Sequence, residues 1–164
     1  MPENQNMQKT SDNEAMLQEI VQNTEMGKNT LDELMGLTYD QKLKDEMMRQ
    51  KNEYRRLNQQ AHTALDAIGA QAKGQSAAAR MSVSMGIRTR TMLDKSTRNL
   101  ATMLAEGSGQ GVLDCKRAER DYPEASPGAF KLCQSWARSR AMPRRPGEGL
   151  CKEGKAFPQG GRWP

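Results

Sequence analysis

Residues 40–69, DQKLKDEMMRQKNEYRRLNQQAHTALDAIG, decide the fold of this chain. Within them Leu43, Met47, Gln50, Tyr54, Leu57, Ala61, Ala64 and Ile68 recur at alternating four- and three-residue steps. At about 100° of rotation per residue, that spacing draws one stripe down the side of a helix, and water drives such a stripe against a neighbour. Thr38 or Asp40 can cap the start and Gly69 closes the end. The spacing predicts a helix over 40–68.

Upstream, Ser11-x-x-Glu14 has the form of a capping box, in which hydroxyl and carboxylate satisfy free N–H groups of a first turn. Leu17, Ile20, Thr24, Gly27, Leu31 and Leu34 follow on one stripe, ending at Gly36, and predict a helix over 12–35. A link as short as 37–39 makes these first two helices antiparallel neighbours. Residues 1–10, polar and Asn/Gln-rich, read as a disordered tail.

Downstream, 70–75 reads as a connection. A helix over 76–93 is carried by Ala78, Met81, Met85, Thr89 and Met92, whose methionines suit loosely packed gaps. Ser96 can cap a helix over 97–121 with Leu100, Leu104, Gly107 and Gly111 on its stripe. Glycine inside a helix costs about 1 kcal/mol relative to alanine. The run Gly107-Ser108-Gly109-Gln110-Gly111 therefore implies that a neighbouring backbone comes close, with Gly107 and Gly111 as packing positions. Pro123 ends this helix, and Ser126-Pro127 opens a last one over 127–140 with Phe130, Cys133 and Ala137 on its stripe.

The expected fold class is all-α: an antiparallel up-and-down helical bundle over 11–135, with a shortened last helix and a disordered carboxyl-terminal tail. Composition agrees. Apolar residues make up 35% of the 164 and aromatic residues 4%, with 12 Met, which describes a lean core of Leu, Met, Ile and Ala suited to helices rather than sheets. No apolar run is long enough to span a membrane and the polar amino terminus is unlike a secretory signal, so the expected location is cytoplasmic, with no membrane partner.

The net charge of +5 is localised. Residues 1–134 hold 18 Lys and Arg against 18 Asp and Glu, and residues 135–164 hold 7 against 2. From about Ser135 the chain turns rich in Arg, Gly and Pro and loses its apolar period, so 141–164 is expected to be disordered. Two readings of it stand: a basic tail able to bind phosphate backbones, or a product of a shifted reading frame interrupting the last helix. Translating the other two frames from about codon 135 separates them.

The phrases Asn23-Thr24-Glu25-Met26-Gly27, Met92-Leu93-Asp94-Lys95-Ser96 and Met103-Leu104-Ala105-Glu106-Gly107-Ser108-Gly109-Gln110-Gly111-Val112-Leu113-Asp114, with the Tyr54-bearing helix, resemble an uncharacterised family of small bacterial helical proteins related to the ferritin-like superfamily. The resemblance covers about residues 12–134. It implies a ferritin-like four-helix bundle whose last helix, opening at Ser126-Pro127, runs on further than it does here.

Such a bundle can hold iron or manganese between inward-facing glutamates and a Glu-x-x-His pair. The nearest match is Gln59-x-x-His62, with Glu25 and Glu106 as further candidates, but all four lie off the apolar stripes and read as solvated surface. Gln50, Tyr54 and Thr24 are the polar members of the core stripes, and a buried amide or phenol needs a partner, which Thr24 or Asn23 can supply. Cys115, Cys133 and Cys151 have neither disulfide nor zinc spacing; the first two read as small core residues. No nucleotide-binding or nucleophile motif occurs.

No catalytic or cofactor-binding residue is therefore expected. The leading expectation is a non-enzymatic structural or protein-interaction module, forming a homo-oligomer or binding a helical partner. The alternatives are a metal-binding or redox protein using iron or manganese, and nucleic-acid binding through the basic tail.

Overall fold

A computed structural model describes residues 2–140 as five helices: α1 (Pro2–Leu37), α2 (Gln41–Ala67), α3 (Ala77–Leu93), α4 (Thr97–Asp121) and α5 (Pro127–Arg140). Among the described residues there is no strand, and no helix is long and apolar enough to cross a membrane. The stretch 141–164, expected from sequence to be a disordered basic tail, lies outside the described residues.

Helix starts follow local chemistry. Asp40 Oδ1 accepts from Leu43 N at 2.8 Å, Ser76 Oγ from Ala79 N at 3.1 Å, Ser96 Oγ from Asn99 N at 3.2 Å and Ser126 Oγ from Ala129 N at 3.2 Å. Each satisfies an N–H that the first turn leaves free. α2 ends where Gly69 takes φ +73°, a left-handed conformation that glycine adopts without a steric cost.

α1 differs from its expectation. It starts at Pro2, so residues 2–10 are helical, not a tail, and Ser11 sits exposed in mid-helix. Pro2 at the first position lacks only an N–H that would be unpaired anyway, and no later residue breaks the turn. Buried Asp12 accepts from Gln8 Nε2 at 3.0 Å and from Glu124 N at 3.1 Å, tying this end to the α4–α5 connection.

α1 and α2 form the main seam. Asn58 Nδ2 donates to Thr24 Oγ1 at 3.0 Å and Val21 O at 3.3 Å, while Lys51 pairs with Asp32 further along. As positions rise on one helix they fall on the other, so the two run antiparallel. α4 and α5 do likewise, meeting at Cys115 and Cys133 and again at Gly107 and Arg140. α5 also packs on α2, and α1 touches each of the other helices.

The α2 stripe is buried from Leu43 to Ala61. Near its end Ala64 is only half-buried and Leu65 takes the core position, while Ile68, beyond the last helical residue, is partly exposed. Each fully buried Leu or Met contributes about 1.5–3 kcal/mol by leaving water.

Two stripes depart from expectation. In α3 the Met81/Met85/Met92 face points outward, and Ile87 and Thr91 are the buried residues, with Val83 packed beside them. The buried row is β-branched, and stiff side chains of this kind lose little freedom on packing against α1. In α5 the apolar period does not stop at Ser135: Ala129, Cys133 and Trp136 fill the core, and Trp136 is 0% exposed. The bundle therefore runs past the boundary read at 135.

Candidate functional site

Two features are not explained by folding alone: the outer face of α3 and a cavity between the helices. On α3, Met81, Met85 and Met92 are 69%, 66% and 83% exposed. At about 100° per residue they fall within roughly 40° of one another, on the side away from Ile87. Leu93 at the end of α3 is also exposed. Arg88 borders the row, about 20° from Met81, and is exposed; Arg80 lies about 100° from Met81, on the side of Ile87 and Thr91, and Arg90 pairs with Glu106 at 2.5 Å. α3 contains three arginines and no acidic residue, and of the three Arg88 adjoins the apolar face.

The cavity, about 220 Å³, is lined by residues from all five helices. Leu31, Leu34, Val83 and Leu104 make its walls apolar. At its polar side stand Gln50 (0% exposed), Ser108 (7%) and Arg140 (6%). The guanidinium lies 5.0 Å from the ring centre of Tyr54 and 5.1 Å from that of Trp136, where the electron-rich ring faces attract a cation. Its Nη1 donates to Gly107 O at 2.6 Å.

No carboxylate forms an ion pair with Arg140 among the described residues. Asp114 contributes an attractive field, but its Oδ1 is engaged by Gln110 and Arg117. Burial lowers the pKa of Arg140 from its ordinary value, opposed by Tyr54 and Asp114; burial likewise raises that of Tyr54. Arg140 Nε, Gln50 Oε1 and Ser108 Oγ are buried without a hydrogen-bond partner among the described residues.

The polar core residues expected from sequence are buried, but their partners differ. Gln50 Nε2 donates to Glu46 Oε1 at 2.9 Å on its own helix, not to α1. Thr24 donates back to Ile20 O at 2.7 Å and accepts from Asn58, and Asn23 donates to Glu19 O. Tyr54 lies flat over Gly27, where an added Cβ would come within 2.6 Å of the ring. Asn58 was missed because it lies one position past the Leu57 stripe, where only a view of both helices reveals a facing hydroxyl.

Of the two packing glycines, Gly111 is closely approached, but by the Arg140 side chain rather than by a backbone. Gly107 is exposed, with nothing within 4 Å of its Cβ position; only its carbonyl is used. Ser108 takes the buried place expected for it.

The metal candidates are not brought together. Glu25 accepts from Gln75 N at 2.7 Å in the α2–α3 connection, Glu106 is exposed and held by Arg90, and His62 is half-buried on α2 with Gln59 exposed beside it. Among the described residues no group of three or more His, Cys, Asp or Glu side chains is placed to hold a metal ion.

Cys115 and Cys133 are free, buried and face each other, with Cys115 Sγ 3.0 Å from Cys133 O. The hydrogen bond between the thiols lowers the pKa of Cys115 and raises that of Cys133, which burial raises further. The sequence suggested core cysteines; their juxtaposition needed the α4–α5 register. No family model, curated protein or solved structure matches this chain.

Proposed function

We propose that this chain is a protein-interaction module, a cytoplasmic ferritin-like bundle of α1, α2, α4 and α5 that presents α3 to an acidic amphipathic helix of another protein. The observation that carries this reading is the exposed Met81/Met85/Met92 row with the exposed Arg88 at its edge. Unbranched, polarisable methionines adapt to varied apolar surfaces and recur where helices dock in grooves or on faces. That basic edge selects the partner's sign by complementarity. A second copy of α3 would bring arginines against arginines, so a foreign acidic helix fits this face better than self-pairing.

The resemblance to small bacterial helical proteins related to the ferritin-like superfamily supports the bundle part of this reading, and neither a metal role nor a tail role is needed for it. A designed 18-residue helix with Leu at core spacing and Glu flanks tests the face by fluorescence polarisation. Binding is expected to weaken with salt and to be lost in Met81→Glu/Met85→Glu/Met92→Glu. A Lys-flanked peptide binding equally well, or a dimer in light scattering that the same triple variant dissolves, would overturn the acidic-partner reading.

A further inference from the structure

The partly open cavity between the helices is built like a binding site for a small anion. It has apolar walls, one buried cation, the Asp114 carboxylate held by Gln110 and Arg117, and three polar atoms without hydrogen-bond partners among the described residues. Leaving a buried donor or acceptor unpaired is costly, and an unpaired buried charge is costlier still. Here both kinds of group converge on one space. Gly111 on α4 makes room for the Arg140 side chain, which a larger residue there would meet.

Water alone offsets this arrangement poorly. It can hydrogen-bond to the three atoms, but it brings no charge to a guanidinium that has no ion-paired carboxylate among the described residues. A space of about 220 Å³ corresponds to about seven waters at roughly 30 Å³ each, the size of a ligand with on the order of seven to ten non-hydrogen atoms.

We propose that this cavity binds a small monocarboxylic acid with a compact apolar body, its carboxylate paired with Arg140 and Ser108, and its body against Leu31, Leu34 and Leu104. Arginine suits this role because its planar donors match a carboxylate, and Tyr54 and Trp136 hold the guanidinium in place by its faces, leaving its edge for the ligand. The Ser108 hydroxyl reaches the same carboxylate by rotation about its Cα–Cβ bond. Gln50 Oε1, an acceptor, takes a hydrogen bond from a hydroxyl on the ligand, so a hydroxylated acid fits better than its parent. The site lies inside the bundle, away from the outer face of α3, so failure of either reading leaves the other standing.

Calorimetric titration of the full-length chain with benzoate, 3-hydroxybenzoate and uncharged benzamide tests this. Both acids are expected to bind and raise the melting temperature, with benzamide at least tenfold weaker. Arg140→Met is expected to lose at least tenfold in benzoate affinity, and Ser108→Leu, which fills the space, to abolish binding while keeping its helical circular dichroism. Absence of binding by both acids, or benzamide binding as tightly as benzoate, would overturn the proposal. Were Arg140→Met to unfold, the benzoate-to-benzamide ratio of the native chain still decides.

Discussion

At the scale of single residues, three glycines that look alike in sequence have opposite roles. At Gly27 and Gly111 a methyl group would meet the Tyr54 ring and the Arg140 side chain. Gly27→Ala and Gly111→Ala should each lower stability by about 1–3 kcal/mol in urea unfolding, as overpacking does. Gly107→Ala should raise it by about 0.5–1 kcal/mol, because its Cβ position is open and alanine restricts the unfolded chain. Glu46 makes a pH prediction. The Arg49 side chain bonded to it holds its carboxyl below its ordinary value, with Gln50 helping and burial opposing. That contribution is complete above the unfolded carboxyl pKa and drains away as pH falls through the lower folded one. Between about pH 5 and 3, the native chain should lose more stability than Glu46→Gln, measured by urea midpoints at each pH.

At the scale of helices, α3 separates two kinds of apolar residue. Ile87→Ala should cost about 2–5 kcal/mol, since Ile87 is 5% exposed. Met85→Ala should change stability by no more than about 0.5 kcal/mol, and parallel thermal melts of the two variants check the contrast. Sequence periodicity alone chose the wrong face here: methionines at helical spacing look like a core stripe, and Val83, Ile87 and Thr91 form an equally regular but shorter row. Which row turns inward depends on how α3 packs on α1, which lies outside the reach of its own periodicity. The starts of α2, α4 and α5 were legible because Asp40, Ser96 and Ser126 act within one turn of their own position, whereas Ser76, which caps α3 in the same way, went unread. The start of α1 was not legible, since Ser11-x-x-Glu14 satisfies a local pattern inside a helix that nothing upstream interrupts.

Over the whole molecule, the all-helical class was plain from the α2 stripe, whereas the cavity was invisible. Arg140, Ser108, Gln50 and Tyr54 come from three helices and lie up to 90 positions apart, and Arg140 stands where composition seemed to leave the bundle. Trp136 shows how much the fold uses that region. Trp136→Ala should cost about 3–5 kcal/mol, enough to bring a domain of ordinary marginal stability close to unfolding, and a chemical denaturation midpoint would register it. The Asn58 carboxamide carries a different consequence. Reaching from α2 to a buried hydroxyl and a carbonyl of α1, it works as an alignment pin. Were α2 to slip by one turn against its neighbour, that amide would be stranded in hydrocarbon, so the two longest helices can mate at one setting and resist ratcheting past each other.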